Sequence, residues 1–355
     1  MLLFFYILLE CIKKINQERT TASVFHLLKG KRSSQTIQDT NIYQLSSYFG
    51  ILKTMKRSIF EQAMLTLEEN EWIVMKENNV ACVTEKGGLY LQSHKNLFPV
   101  EYLNGIDFSG EMDVFYMRLQ LAIQTYSNLA HQSHHFVPIT DDLGVQQWVK
   151  EHYRSHVGDV NKWLKDVHQE LYVFLEQLST VQAQLFVDRI SGYGKIGLSL
   201  DQLAKKNNLS TMDVALNLTS ILHRLLSYIK NDRTRSSNLA VFVPLNNHTL
   251  LVTHSAYKTN QWLAKGFTID QIAQIRNLKR STIEDHIIEI AYVDPQFDIT
   301  KFIDNLTYRT ILTAIEEQKT TKLKEIKEAL DNQYDYFKIR LVFSYVKDHK
   351  RSTKQ

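Results

Sequence analysis

Only twelve glycines and four prolines are spread over 355 residues, and this scarcity constrains the chain more than any motif in it. Gly and Pro end helices and build tight turns, so a chain poor in both reads as long helices joined by short polar breaks. A Gly/Pro-rich sandwich and a βαβ array are excluded on the same ground. A typical domain has about 100–150 residues, so two or three domains are expected. The hydrophobic share of 44% and charged share of 23% are those of an ordinary folded protein, neither disordered nor membrane-embedded. Cys11 and Cys82 belong to no CxxC or Cys/His pattern. Neither a disulfide framework nor a zinc finger is expected, and a reducing cytoplasm is the expected compartment.

The apolar opening Met1–Leu9 has no basic residues before it, stops at Glu10, and meets no small-residue cleavage site before Lys13-Lys14. It is also far short of the ~20 residues that span a bilayer. A buried first helix running to about Ile15 is expected, with no membrane partner. Basic side chains concentrate nearby. Residues 1–60 hold nine Lys and Arg against three Asp and Glu, within an overall charge of +4. A polyanion partner is allowed, while the dense cationic coat of a histone-like protein is excluded.

Patterning divides the chain into a winged-helix-like N-terminal domain over 1–100, a helical connector over 101–180, a helix-turn-helix-like domain over 181–235 and a C-terminal helix-turn-helix domain over 236–355. The fold class is mainly α, with several helix-turn-helix units. In the first stretch, Val24, Phe25, Leu27 and Leu28 fall at helical spacing before Gly30, and Ile59, Phe60, Ala63, Met64 and Leu67 stripe a helix from about Arg57 to Glu69. The period then changes. Residues 72–77 and 80–84 read as strands around an Asn78-Asn79 turn, with Gly87-Gly88 closing the unit and Leu89-Tyr90-Leu91 resuming it. Helices followed by one hairpin give the order of a winged helix. Lys53, Lys56 and Arg57 then sit at the start of its third helix, where they would meet a DNA backbone. Protein contact or a scaffold role suits the same fold, since no base-reading residue can be named.

Stripes from Phe115 to Leu129 and from Trp163 to Leu178 are core signatures. Between them, His131, His134, His135, His152 and His156 raise a metal site, but position 153 is Tyr where the HExxH pattern needs Glu. With no Cys or acidic cluster to complete the ligands, a solvated polar connector is expected and no metal. A short helix, a turn at Asn207-Asn208-Leu209-Ser210 and a long helix from Thr211 form a weak helix-turn-helix signal, and Val241–Val243 with Leu250–Val252 suggest a small hairpin. Gly192–Gly197 satisfies GxGxxG by letter but follows an amphipathic helix where a dinucleotide loop needs a strand. Gly30-Lys31 lacks the first Gly of a P-loop, which is Phe25 here, and its Ser/Thr, which is Arg32. No GxSxG elbow, kinase signature or acidic triad is present. The chain therefore reads as non-enzymatic, with no catalytic residue, no cofactor and no small-molecule substrate.

The clearest helix-turn-helix lies in residues 254–291. Gly266 ends a first helix, Thr268 caps a second with Ile272-Ala273 packing it, Asn277-Leu278 makes the turn, and Ser281 caps a third with Ile283, Ile287 and Ile290 inside. These residues, with Arg276, Thr282–His286, Ile311, Leu323–Leu330 and Ile339–Val342, resemble the helicase helix-turn-helix domain. That domain occurs at the C-termini of some RecQ-type helicases and in stand-alone YpbB-like proteins of low-GC Gram-positive bacteria. Residues 5–8 and 28–36 are similar to the N-terminus of the YpbB-like group. The resemblance implies a non-enzymatic protein associated with a RecQ-type DNA helicase, in DNA repair or recombination.

Arg276, Lys279 and Arg280, with Ser281 and Thr282, cluster at the turn and the start of the third helix, which suits phosphate contact. On the expected outer face of that helix, Glu284, Asp285 and Glu289 would repel phosphates, and no Asn, Gln or Arg is placed to read base edges. Two uses of the helix stay open, phosphate-tracking DNA binding and protein docking. For the whole chain the alternatives are a sequence-specific transcription regulator and an interaction adaptor without DNA affinity.

Overall fold

The structure is a computed structural model that describes residues 1–156, 158–231, 237–244, 252–294, 296–318, 320 and 322–352, with the side chains of 156 and 346–352 outside that description. The described residues are mainly helical. The helices are α1 (Leu2–Ile15), α2 (Thr21–Leu28), α3 (Ser34–Ile42), α4 (Arg57–Glu69), α5 (Glu85–His94) and α6 (Gly105–Phe108). They continue as α7 (Met112–Ala130), α8 (Leu143–His156), α9 (Val160–Leu175), α10 (Thr180–Arg189), α11 (Leu200–Asn207) and α12 (Thr211–Asn231). The last six are α13 (His254–Ala264), α14 (Ile269–Arg276), α15 (Arg280–Val293), α16 (Asn305–Gln318), α17 (Leu323–Ala329) and α18 (Tyr336–Ser352). Their ends follow local chemistry. Ser33, Asp159, Ser179 and Thr253 each accept a hydrogen bond from a backbone N–H two or three residues on. Gly30 at φ 66° and Gly266 at φ 85° turn the chain out of α2 and α13.

A two-stranded sheet, β1 (Ile73–Lys76) with β2 (Val80–Val83), is the hairpin read from the sequence. Asn78 and Asn79 both sit at φ 58°, a left-handed conformation that Asn tolerates. Beyond it, Gly87-Gly88 do not close the unit and Leu89–Leu91 do not return to strand; all five lie in α5, capped by Thr84 Oγ1. Gly87 is there for close approach, because a Cβ on it would stand 2.2 Å from the carbonyl oxygen of Trp72. The second expected hairpin is also revised. Ala240–Phe242 is a 3-10 turn whose Phe242 is buried, and residues 245–251 lie outside the described residues.

The chain packs as two units, each discontinuous in sequence. The first comprises Met1–Glu10, Ser47–Val74 and Val83–Asn246; the second comprises Cys11–Ser46, Met75–Cys82 and Asn247–Gln355. α2 and α3 thus fall in the second unit and α4 in the first. In the first unit, Phe115, Leu119, Tyr126, Phe174, Leu185, Val214 and Leu225 form one core with neighbours from α7 to α12. His152 belongs to that core and is no solvated connector, being buried, hydrogen-bonded through Nδ1 to Tyr126 at 2.7 Å and stacked on Trp148. In the second unit, Ile272, Ile283, Ile287, Ile311, Ile326 and Ile339 lead the core.

Both units use one local design. In α11–α12, Ser199 and Gln202 make a capping box, Asn208 ends the helix in the left-handed region, and the Leu209 N–H donates to Ala204 O. In α14–α15, Thr268, Gln271, Asn277, Leu278 and Ala273 repeat this at identical spacing. The weak signal at 199–211 therefore marks the same turn as the strong one.

Candidate nucleic-acid interface

α13, α14 and α15 form the C-terminal helix-turn-helix, and the left-handed Asn277 with Leu278 sets the direction in which α15 starts. α15 begins at Arg280, two residues earlier than a Ser281 cap would place it. Lys279 is the last extended residue, at φ −65° and ψ 146°, and no side chain caps the helix. Ser281 is exposed within the first turn, with Thr282 partly exposed after it.

α15 is the centre of its unit. α13, α14, α3 and α18 all pack on it, and from Ile283 to Val293 no side chain is more than partly exposed. The helix that enters the major groove in DNA-reading relatives of this architecture is thus most open here at its first turn, with Asp285 half-exposed in the next. Glu289 shows why the sequence misplaced this face. Expected outside, it is fully buried, accepting hydrogen bonds from the Thr253 backbone N–H, from Thr253 Oγ1 at 3.3 Å and from Ser34 Oγ at 3.0 Å. Burial pushes its pKa up, opposed by those bonds and by Arg32. Ser34 opens α3, a helix more than 200 positions away that no local pattern places against α15. The other two acids are paired, Glu284 with Arg280 at 2.9 Å and Asp285 with Arg340 at 2.7 Å.

The expected cations separate into three kinds. Arg276 is a clamp between α14 and α13: its guanidinium donates to Ser255 O at 2.8 Å, to Ser255 Oγ at 2.9 Å and to Thr259 Oγ1, and lies 3.5 Å from His286 Nδ1. Arg280 is held by two carboxylates, Asp270 at 2.6 Å and Glu284 at 2.9 Å. Lys279 is exposed and makes no ion pair among the described residues. In the first unit, Lys53 Nζ lies 2.5 Å from both Ser109 O and Asp113 Oδ2. Arg57 pairs with Glu61 at 2.8 Å, its guanidinium over the Phe60 ring, while Lys56 is exposed at the start of α4 with no ion pair among the described residues. Residues 276–282 are brought together on one turn; Lys53, Lys56 and Arg57 belong to the other unit. The residues missed by sequence reasoning are the acceptors Ser255 and Thr259 with their neighbour His286. The only hint of them was the four-residue spacing of Ser255 and Thr259 on one helix face.

Residues 255–343 match a family model described as a helix-turn-helix domain, an architecture that points to DNA binding. Protein YpbB of Bacillus subtilis (strain 168) is 31% identical over 345 residues, covering 96% of this chain and 97% of that protein. The chain belongs to the YpbB family. The likeness to YpbB runs through both units, whereas the helix-turn-helix match is confined to the C-terminal stretch. No solved structure matches the chain. Among the described residues no helix is long and apolar enough to cross a membrane, and no group of three or more His, Cys, Asp or Glu could hold a metal ion.

Proposed function

We propose that this YpbB-family chain is a non-enzymatic accessory protein that contacts the phosphate backbone of DNA through residues 279–282 and works beside a RecQ-type helicase in repair or recombination. One observation carries the DNA contact. α15 is most open at its first turn, where an uncapped helix N-terminus stands with exposed Lys279 and Ser281. Unsatisfied N–H groups, the positive end of the helix dipole and an unpaired ammonium all favour phosphate. Beyond the first turn the open polar side chains of α15 are Glu284 and Asp285, both held in ion pairs, which argues against a sequence-specific regulator. The helicase partnership rests on the resemblance of residues 265–342 to the helicase helix-turn-helix domain. The absence of a P-loop pattern agrees with the partner supplying ATP-driven work.

Lys279→Ala tests the contact. It should lower the magnitude of the slope of log affinity against log salt by about 1, equally for unrelated duplexes, because backbone contacts position without specifying. Stability should stay within about 0.5 kcal/mol of wild type. An unchanged slope, or a footprint on one palindromic operator, would overturn the DNA reading. ATP turnover that follows the chain on a sizing column would overturn the non-enzymatic part, and co-purification from its own cell tests the helicase.

A further inference from the structure

Three exposed cations of the second unit stand outside residues 279–282: Lys31 and Arg32, between α2 and α3, and Lys258 on α13. None of the three makes an ion pair among the described residues. They are remote in sequence, and two polar clamps bring them to the start of one helix. The first is Arg276, whose guanidinium donates to Ser255 O at 2.8 Å and to Ser255 Oγ at 2.9 Å. The turn that carries Lys279 therefore begins against the first turn of α13, and Lys258 follows Ser255 by three positions on the same side of that helix. The second clamp is Glu289. One of its oxygens accepts both from Ser34 Oγ at 3.0 Å and from Thr253 Oγ1 at 3.3 Å. Two hydroxyls on one oxygen are neighbours, so the Lys31-Arg32 loop, which ends two residues before Ser34, stands beside the start of α13.

The acids around this surface are spent or turned elsewhere. No Asp or Glu occurs from Arg19 to Gln38 or from Thr253 to Ile269. The open face of α13 carries His254, Tyr257, Lys258, Gln261 and Lys265. On α15, Glu289 is buried and occupied by its hydrogen bonds, with Arg32 near enough to favour its charge, while Glu284 and Asp285 pair with Arg280 and Arg340. Asp270 of α14 is also held by Arg280. Glu18 and Asp39 are engaged by Tyr43 and Arg19, toward the other end of α3. Asp294 and Asp298 share a pocket with Asn260 and Ala264, which lie on the opposite flank of α13 from Lys258.

We propose that Lys31, Arg32 and Lys258 continue the phosphate track that begins at Lys279, so that the backbone of a DNA duplex lies across the start of α13 and the loop before α3. The inference rests on the DNA contact proposed above and extends it. Four unpaired cations on three separate segments suit a polyanion better than a single anion, because each can neutralise its own phosphate. Part of the cationic surplus of residues 1–60 thereby joins the C-terminal helix-turn-helix in one unit.

The test measures binding of the full chain to a labelled duplex of arbitrary sequence by fluorescence anisotropy across a salt series. Replacing Lys31, Arg32 and Lys258 together by Ala should lower the magnitude of the log-affinity against log-salt slope by about 2–3, with Lys279 still in place. Affinity at the lowest salt should fall at least tenfold. A control that removes equal charge from α17 and α18, with Lys324, Lys327 and Lys338 changed to Ala, should leave the slope unchanged. If the first triple variant lowers the unfolding midpoint, Lys258→Glu on the open face of α13 is the variant to read, with the slope reduced by at least about 1. A triple variant that keeps the wild-type slope while Lys279→Ala lowers it overturns the track and leaves the contact at 279–282 standing. Equal losses in the triple variant and its control assign the effect to net charge and also overturn the track. A wild-type chain that binds no duplex even at the lowest salt overturns both readings.

Discussion

Arg276 and Lys279 sit three residues apart and look alike in sequence, yet they have opposite roles. Arg276 satisfies Ser255 and the buried Thr259, so Arg276→Ala leaves polar groups of α13 without their donor and should cost about 1–3 kcal/mol, read from urea unfolding midpoints. Arg276→Lys should recover little of this, because an ammonium cannot reproduce the forked geometry that reaches Ser255 O, Ser255 Oγ and Thr259 Oγ1 together. A wild-type midpoint for Arg276→Ala would return this residue to the pool of surface cations. Glu289 is the acidic counterpart, a charge that local pattern placed in water and that the fold places against Thr253 and Ser34.

At the scale of elements, the turn Thr268–Leu278 and its copy Ser199–Leu209 show what short-range chemistry can fix by itself. A capping box, a left-handed Asn and a Leu N–H closing on an Ala carbonyl recur at the same spacing, and only the surroundings differ. Where Lys279 and Arg280 stand in the second unit, the first has Ser210 and Thr211, so the copy offers no cation there. α5 shows the opposite limit. Its paired glycines looked like a turn, but Thr84 caps a helix whose first turn passes against the Trp72 carbonyl. Gly87→Ala should therefore destabilise by about 1–3 kcal/mol through steric strain. Gly88→Ala, with nothing within 4 Å of a new Cβ, should stabilise by up to about 1 kcal/mol through helix propensity. Equal thermal shifts for the two variants would sink the close-approach explanation.

At the scale of the whole molecule, each unit holds a buried histidine kept neutral by its surroundings, His223 in the first and His286 in the second. In the first unit His223 is buried beside Lys53 and accepts the Asn104 N–H at 2.9 Å, and burial then the lysine lower its pKa to about 4. In the second, burial and then Arg276 lower His286 to about 4. A folded pKa below the ordinary 6.5 means that the neutral ring's contribution is present above that value and is lost as pH falls toward about 4. Acidification from pH 7 to 4.5 should weaken each unit by about 2 kcal/mol through its histidine. His223→Gln and His286→Gln should each lose less on acidification than wild type in thermal unfolding. A variant that keeps the wild-type sensitivity would assign the acid response elsewhere.

The sequence by itself determined the helical class, the Arg57–Glu69 helix, the Asn78-Asn79 hairpin and the C-terminal helix-turn-helix, because each is set by apolar period, capping and turn residues within a few positions. Only the tertiary structure decided that α15 is a central helix most open at its first turn, because α3 and α18 approach it from distant parts of the chain. Only it decided that Arg276 is a clamp and Lys279 exposed, because a side chain's availability depends on which acceptors packing brings within reach. Period and capping act over a few residues, whereas burial and pairing are properties of surfaces that meet only when the chain is folded.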